Sequence, residues 1–88
     1  MDFEWDGVKS DQNLRQGGFG FDTAAWVFDG PTLEAVDDRR AYGEIRIRAI
    51  GRVDENVLVV VYTDRNEVRR IISARKANKR EQKRYETT

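Results

Sequence analysis

Residues 43–73 read GEIRIRAIGRVDENVLVVVYTDRNEVRRIIS, and their patterning decides the fold. Val57-Leu58-Val59-Val60-Val61-Tyr62 is apolar at every position, as in a central strand covered on both faces. Before it, Ile45, Ile47 and Ala49 alternate with Glu44, Arg46 and Arg48. The first three are expected to face one way and the charged three the other. A turn over residues 52–56 joins these strands. The Asp64-Arg65-Asn66 turn then returns the chain along a third strand, Val68 to Ser73, and the three form an antiparallel meander.

Upstream, Met1 to Trp5 alternates Phe3 and Trp5 with Asp2 and Glu4, a short period-two strand. Asp6 is placed to cap a helix from about Gly7 to Gln16, because its carboxylate can accept the free amides of a first turn. Val8 and Leu14 are expected inside, and Gly17-Gly18 to end the helix. Asp22 reads as the cap of a second helix, Thr23 to about Phe28, with Ala24, Ala25, Val27 and Phe28 as its apolar face and Gly30-Pro31 as its stop. Helices this short need a sheet to pack on. Phe3, Trp5, Phe19, Phe21, Trp26 and Phe28 are assigned to the core. Thr32 to Val36 reads as a brief edge strand, and Asp37-Asp38-Arg39-Arg40 as a polar loop with no structural demand.

Downstream the chain turns cationic. Residues 65–84 hold nine Lys or Arg against two Glu, a net +7, in an 88-residue sequence whose total charge is zero. Residues 1–44 hold four cations against ten acids, a net −6. That asymmetry points to a polyanionic partner, most simply nucleic acid. A solvated helix face, or a docking surface for an acidic protein, has the same composition. Arg75 to Glu86 is expected to form a last helix with little to bury beyond Ala77 and Tyr85. The expected architecture is α+β, with two short N-terminal helices packed on an antiparallel sheet and a basic C-terminal helix. It forms one domain over residues 1–88.

Composition removes several chemistries. The sequence has no cysteine and no histidine, so disulfides, thiolate or imidazole zinc sites and His-based acid/base catalysis are excluded. No metal site and no cofactor are expected. The longest apolar run is six residues, Val57 to Tyr62, far short of the roughly 20 of a membrane span. Asp2, Glu4 and Asp6 stand where a signal peptide needs a basic region. A cytoplasmic protein without membrane association is expected. GGFG at 17–20 lacks the glycine spacing and the Lys-Ser/Thr of a phosphate loop.

Glu44, Arg46 and Arg48 form a row on one sheet face, Arg70 with Ile72 can share that face two strands away, and Arg75 follows at the strand exit. A carboxylate among guanidiniums ionises fully and can act as a base or as an orienting partner. The guanidiniums offer fixed donors to phosphate oxygens. Such a cluster suits metal-free phosphodiester cleavage, in which the RNA's own 2′-OH attacks. Cross-strand ion pairs on a wet face have the same spacing, and spacing alone favours them. Tyr62 and Tyr85 are candidates to stack on unpaired bases, although Tyr62 closes a buried strand and is better explained as core.

The residues that carry a family resemblance are FEWD with Lys9 and Asn13 (3–13), FDTAAWVFDGP (21–31), GEIRIRAIG (43–51), LVVVYT (58–63) and RIISARKANKREQKRY (70–85). In this order, over nearly the whole chain, they resemble BrnT-type toxins of the RelE-like ribonuclease group in bacterial type II toxin–antitoxin modules. The closing piece, with Arg70, Ser73, Ala74, Arg75, Ala77, Glu81 and Tyr85, is the most distinctive.

The resemblance implies a RelE-like fold and a metal-independent endoribonuclease that inhibits translation by cutting RNA. It also implies a BrnA-type antitoxin with a ribbon-helix-helix DNA-binding part. Toxin and antitoxin would form a hetero-oligomer that binds operator DNA through the antitoxin. On this basis Glu44, Arg46, Arg70 and Arg75 are the candidate catalytic residues, and Arg48, Lys79, Arg80, Arg84 and Tyr85 the candidate RNA contacts. Family members usually carry Lys-His-Gly after the first helix, where this chain has Gln16, Gly17 and Gly18. The acid/base role would then fall to Glu44, Lys79 or Tyr85, and loss of such a group typically costs about 10²–10⁴-fold in rate. The alternatives are a catalytically weak or inactive toxin-fold protein acting as an antitoxin-binding co-repressor, and a simple RNA-binding domain.

Overall fold

The apolar run becomes the middle strand of the molecule. The structure, a computed structural model, describes residues 1–39 and 41–87. In chain order it contains strand β1 (Asp2–Trp5), helix α1 (Gly7–Gly17) and helix α2 (Phe21–Ala24), which continues as a 3-10 turn (Ala25–Asp29). Strands β2 (Leu33–Val36), β3 (Ile47–Val53), β4 (Asn56–Arg65) and β5 (Val68–Lys76) and helix α3 (Lys79–Glu86) follow. The sheet order is β1-β5-β4-β3-β2. The last four strands pair antiparallel as expected, but β1 lies parallel to β5, so the sheet is mixed. A parallel neighbour needs a long connection, and everything from α1 to β4 lies between β1 and β5 in the chain.

Both faces of β4 are covered. On one, Leu58, Val60, Ile71 and Ala74 pack against Phe19, Phe21, Ala24 and Val27 from the α1–α2 region. On the other, Ile50, Val57, Val59 and Ala77 form a smaller cluster closed by Leu33 and by Tyr85 of α3. Gly51 sits where β3 passes beneath the 3-10 turn. A Cβ there would come within 2.7 Å of the Val27 Cβ, so only glycine allows this approach.

Several expected details are corrected. Asp6 does cap α1, accepting from the Val8 and Lys9 amides at 2.9 and 3.2 Å, and Gly18 ends it in the left-handed conformation. Val8 and Leu14, however, face solvent. The helix docks through polar groups instead: Ser10 Oγ accepts from the Phe21 N–H, and Asn13 Nδ2 donates to the Phe19 carbonyl. Asp22 is not a cap; α2 starts at Phe21 behind Gly20, and Asp22 sits in the first turn, where the helix dipole favours a carboxylate. Trp26 is 63% exposed rather than core, because the tight 3-10 turn aims Val27 and not Trp26 at the sheet. Ile45 is likewise exposed, since β3 begins only at Ile47.

The turn between β4 and β5 falls at Asn66 and Glu67, both with positive φ, one position later than expected. The strand β5 runs on to Lys76, so Arg75 is a strand residue and not the start of the last helix. Asn78 starts α3 through a capping box with Glu81, donating its N–H to the Glu81 carboxylate and accepting the Glu81 N–H. The 37–40 loop also carries a demand that its polarity concealed, because Asp37 is buried. Arg40 of that loop, and Thr88, lie outside the described residues.

Candidate functional site

Side chains on one sheet face alternate, so strict alternation would put Arg70 and Arg75 on opposite faces. A bulge changes this. Val61 pairs with Ser73 but Tyr62 pairs with Ile71, which leaves Ile72 as an extra residue on β5. Below the bulge Arg70 lies opposite Thr63, and above it Ser73 and Arg75 lie opposite Val61 and Val59. Arg70, Ser73 and Arg75 therefore share the face without the N-terminal helices, and Arg70 no longer shares it by alternation with Ile72. Arg48 of β3, opposite Val61, joins them there.

Glu44 and Arg46 stand in the segment leading into β3. That segment is pinned by the Asp37 N–H donating to the Arg46 carbonyl (2.7 Å) and by Thr63 Oγ1 donating to the Ile45 carbonyl (2.7 Å). Glu44, Arg46 and Arg70 line one small concavity of about 160 Å³ with Lys9, Asp6 and Arg65. Glu44 accepts from Arg65 and, at 3.3 Å, from Arg46 Nε. The hydrogen bond from Arg65 is the chief reason that the Glu44 carboxyl is held below its ordinary range, with Arg46 adding to it. Arg46 also stacks its guanidinium 3.9 Å from the Tyr42 ring centre. Arg70 pairs with Glu4 across the β1–β5 ladder at 3.5 Å.

A second concavity of about 260 Å³ lies further along the same face, lined by Arg39, Arg48, Ser73 and Arg75 over Val59 and Val61. Arg75 forms a two-point ion pair with Glu81 of α3, both contacts 2.8 Å. That pair and the capping box hold the Glu81 carboxyl at about 2. Arg39 makes a similar two-point pair, at 2.7 and 2.9 Å, with Asp37, whose side chain is only 1% exposed. Arg39 lowers the Asp37 carboxyl to about 2 against the opposing effect of burial. Arg48 has no ion pair within 4.0 Å among the described residues.

Lys79, Arg80 and Arg84 are exposed on α3. Tyr85 is placed differently. Its ring packs on the Ile50–Val57–Val59 cluster and its hydroxyl donates to the Pro31 carbonyl at 2.8 Å, which ties α3 to the loop before β2. Tyr62 is core: it meets Phe28 edge-on, carries the Arg69 guanidinium 4.0 Å from its ring centre and donates to Glu34. Gln16 and Gly17 lie exposed in the last turn of α1 and line neither concavity. Among the described residues no three His, Cys, Asp or Glu side chains converge as metal ligands, and no helix is long and apolar enough to cross a membrane.

The structure thus brings Glu44, Arg46 and Arg70 together, and places Arg48 with Arg75 in the neighbouring hollow. Arg65, Arg39 and Asp37 were not legible as site residues. The Asp-x-Arg spacing of 37 and 39 was the one available signal, since a carboxylate two residues before an arginine can hold it in a loop. A family model described as "Ribonuclease toxin, BrnT, of type II toxin-antitoxin system" matches residues 5–81. No curated protein matches the chain.

Proposed function

The chain belongs to the BrnT family of ribonuclease toxins from type II toxin–antitoxin systems, and from that premise we propose that it cleaves single-stranded RNA without a metal ion on the sheet face that carries Arg48, Arg70 and Arg75, opposite the buried α1–α2 core. The observation that carries this proposal is the convergence of Glu44, Arg46 and Arg70 on one concavity. In the proposed reaction the 2′-oxygen attacks the adjacent phosphorus. The O2′–P bond forms as the P–O5′ bond breaks; the 2′-OH proton passes to solvent water and a proton from water reaches O5′. The products are a 2′,3′-cyclic phosphate and a 5′-OH. Arg46 and Arg70 donate to the non-bridging oxygens, where negative charge accumulates in the transition state. Glu44 orients Arg46 and Arg65, and its depressed pKa makes it a poor proton acceptor near neutrality. Lys79, Arg80 and Arg84 contact flanking phosphates as unspecific charges.

Membership of a type II family implies an antitoxin partner. We assign it as a BrnA-type protein that covers the arginine face or α3, and the complex as a hetero-oligomer that binds operator DNA. Cleavage of cellular RNA in the cytoplasm would then inhibit translation. The test is purified protein with single-stranded RNA in EDTA. Cyclic phosphate ends are expected, RNA lacking the 2′-OH should survive, and a requirement for added magnesium would refute the scheme.

A second proposal, a weak or inactive toxin-fold co-repressor, draws support from one specific feature. Arg46, Arg70 and Arg75 each already hold a carboxylate, and Glu44 is shifted away from the pH at which a base works best. It predicts antitoxin binding and operator occupancy with no growth arrest when the chain is expressed alone.

A further inference from the structure

We propose that Arg39, Arg48, Arg75 and the Ser73 hydroxyl form a second phosphate-binding site, which holds an RNA phosphodiester next to the one being cut. It rests on the ribonuclease proposal and adds to it a subsite and an unassigned residue, Arg39. The geometry is set by the sheet. Strands β3 and β5 flank β4, so Arg48 and Arg75 rise from backbones about 10 Å apart across the floor of Val59 and Val61. Ser73 lies across Val61 from Arg48, two residues before Arg75 on the same strand, and Arg39 closes the rim from the loop after β2. Three guanidiniums around a hollow of about 260 Å³ repel one another, and the Arg39 charge opposes that on Arg75, although Glu81 outweighs it. An anion seated between them relieves that repulsion and gains forked hydrogen bonds.

Two carboxylates, Asp37 and Glu81, also belong to the cluster, each taken up by one arginine and each within reach of the Arg48 charge. Asp37 is buried and grips Arg39 from the protein side, fixing the plane of an otherwise mobile surface arginine. Glu81 does the same for Arg75 from α3. Arg48 has no carboxylate partner among the described residues, so its donors are available to a ligand. Along β4, the position opposite Arg48 is two residues from that opposite Arg70. That is about 7 Å at the strand rise, comparable with one nucleotide step of an extended single strand. A phosphate at Arg46–Arg70 and a neighbour reached first by Arg48, with Arg75 two residues further along β4 opposite Val59, therefore fit one bound strand.

The test uses the full chain and a short single-stranded RNA with every 2′-OH methylated, which binds but cannot be cut by the proposed route. Arg39→Gln and Arg48→Gln should each weaken binding about 3- to 10-fold at low salt, and each should reduce the slope of log affinity against log salt by about 0.7. Because Arg39→Gln leaves Asp37 without its cation, Ser73→Glu serves as a second probe. It puts a negative charge into the hollow at an exposed position, and it should weaken binding at least as much. Inorganic phosphate should displace the RNA only at concentrations far above those of the RNA; binding of inorganic phosphate as tight as that of RNA would overturn the RNA assignment. Unchanged affinity and slope in all three variants, or no saturable binding by the parent chain, overturns the site. If the parent cuts unmethylated RNA while the variants bind normally, the subsite fails and the ribonuclease stands. If the variants lose binding and the parent never cuts, the subsite stands and the ribonuclease fails.

Discussion

Replacing Glu81 tests how the basic helix is held against the arginine face. Its carboxylate takes two hydrogen bonds from Arg75 at 2.8 Å and one from the Asn78 N–H at 2.9 Å. The carboxyl is lowered from 4.5 to about 2, first by Arg75. A shift of that size corresponds to at most about 3.5 kcal/mol at roughly 1.4 kcal/mol per pH unit. The Arg75 side chain is 55% exposed, so solvent screens the pair and about 1 kcal/mol is the expected worth. Glu81→Gln retains the capping-box geometry, which accepts Gln at this position, and removes the charge together with one of the two bonds from Arg75, since an amide nitrogen cannot accept. It should lower the melting temperature at pH 7 by about 4–8 °C. Glu81→Ala also removes the cap and should lose about a further 0.5–1 kcal/mol. Because the folded-state pKa is depressed, the contribution of the pair is complete above about pH 4.5 and fades as pH falls toward 2. The gap between parent and Gln variant, read by thermal unfolding, should therefore close in acid. A gap that persists at pH 2, no gap at pH 7, or zero coupling with Arg75→Gln in a double-mutant cycle would refute the reasoning.

Other replacements probe the scaffold by the same assay. Gly51→Ala places a methyl 2.7 Å from the Val27 Cβ and should destabilise by about 1–3 kcal/mol. Val27→Ala, at a fully buried position, should be clearly destabilising, about 1–3 kcal/mol, whereas Trp26→Ala should lose under about 1 kcal/mol despite removing a larger ring. Asp6→Ala removes two bonds to the first turn of α1 and should lose about 1 kcal/mol.

The meander, the central strand and the first helix were readable because each rests on local pattern: an unbroken apolar run, a period of two, an Asp cap and a Gly stop. What escaped was set by long-range geometry. The parallel pairing of β1 depends on where the chain arrives after its helices, and nothing in DFEW encodes it. The bulge at Ile72 is the larger omission. It brings Arg70 and Arg75 to one face, while the sequence Arg-Arg-Ile-Ile-Ser-Ala-Arg taken at strict alternation separates them. Val27 is buried as expected but Trp26 is not, because a 3-10 turn, unlike an α-helix, rotates each residue by a third of a circle. Asp37 looked like loop polarity, since the Asp-x-Arg spacing hints at the pair with Arg39 but not at the burial of its carboxylate.

Cleavage itself is the most direct measure of the central proposal. Purified chain should cut single-stranded RNA in EDTA to leave 2′,3′-cyclic phosphate ends, and Arg46→Gln with Arg70→Gln should remove that activity while leaving the thermal transition in place. Undiminished cutting by the double variant, or cutting of RNA that lacks the 2′-OH, would contradict it.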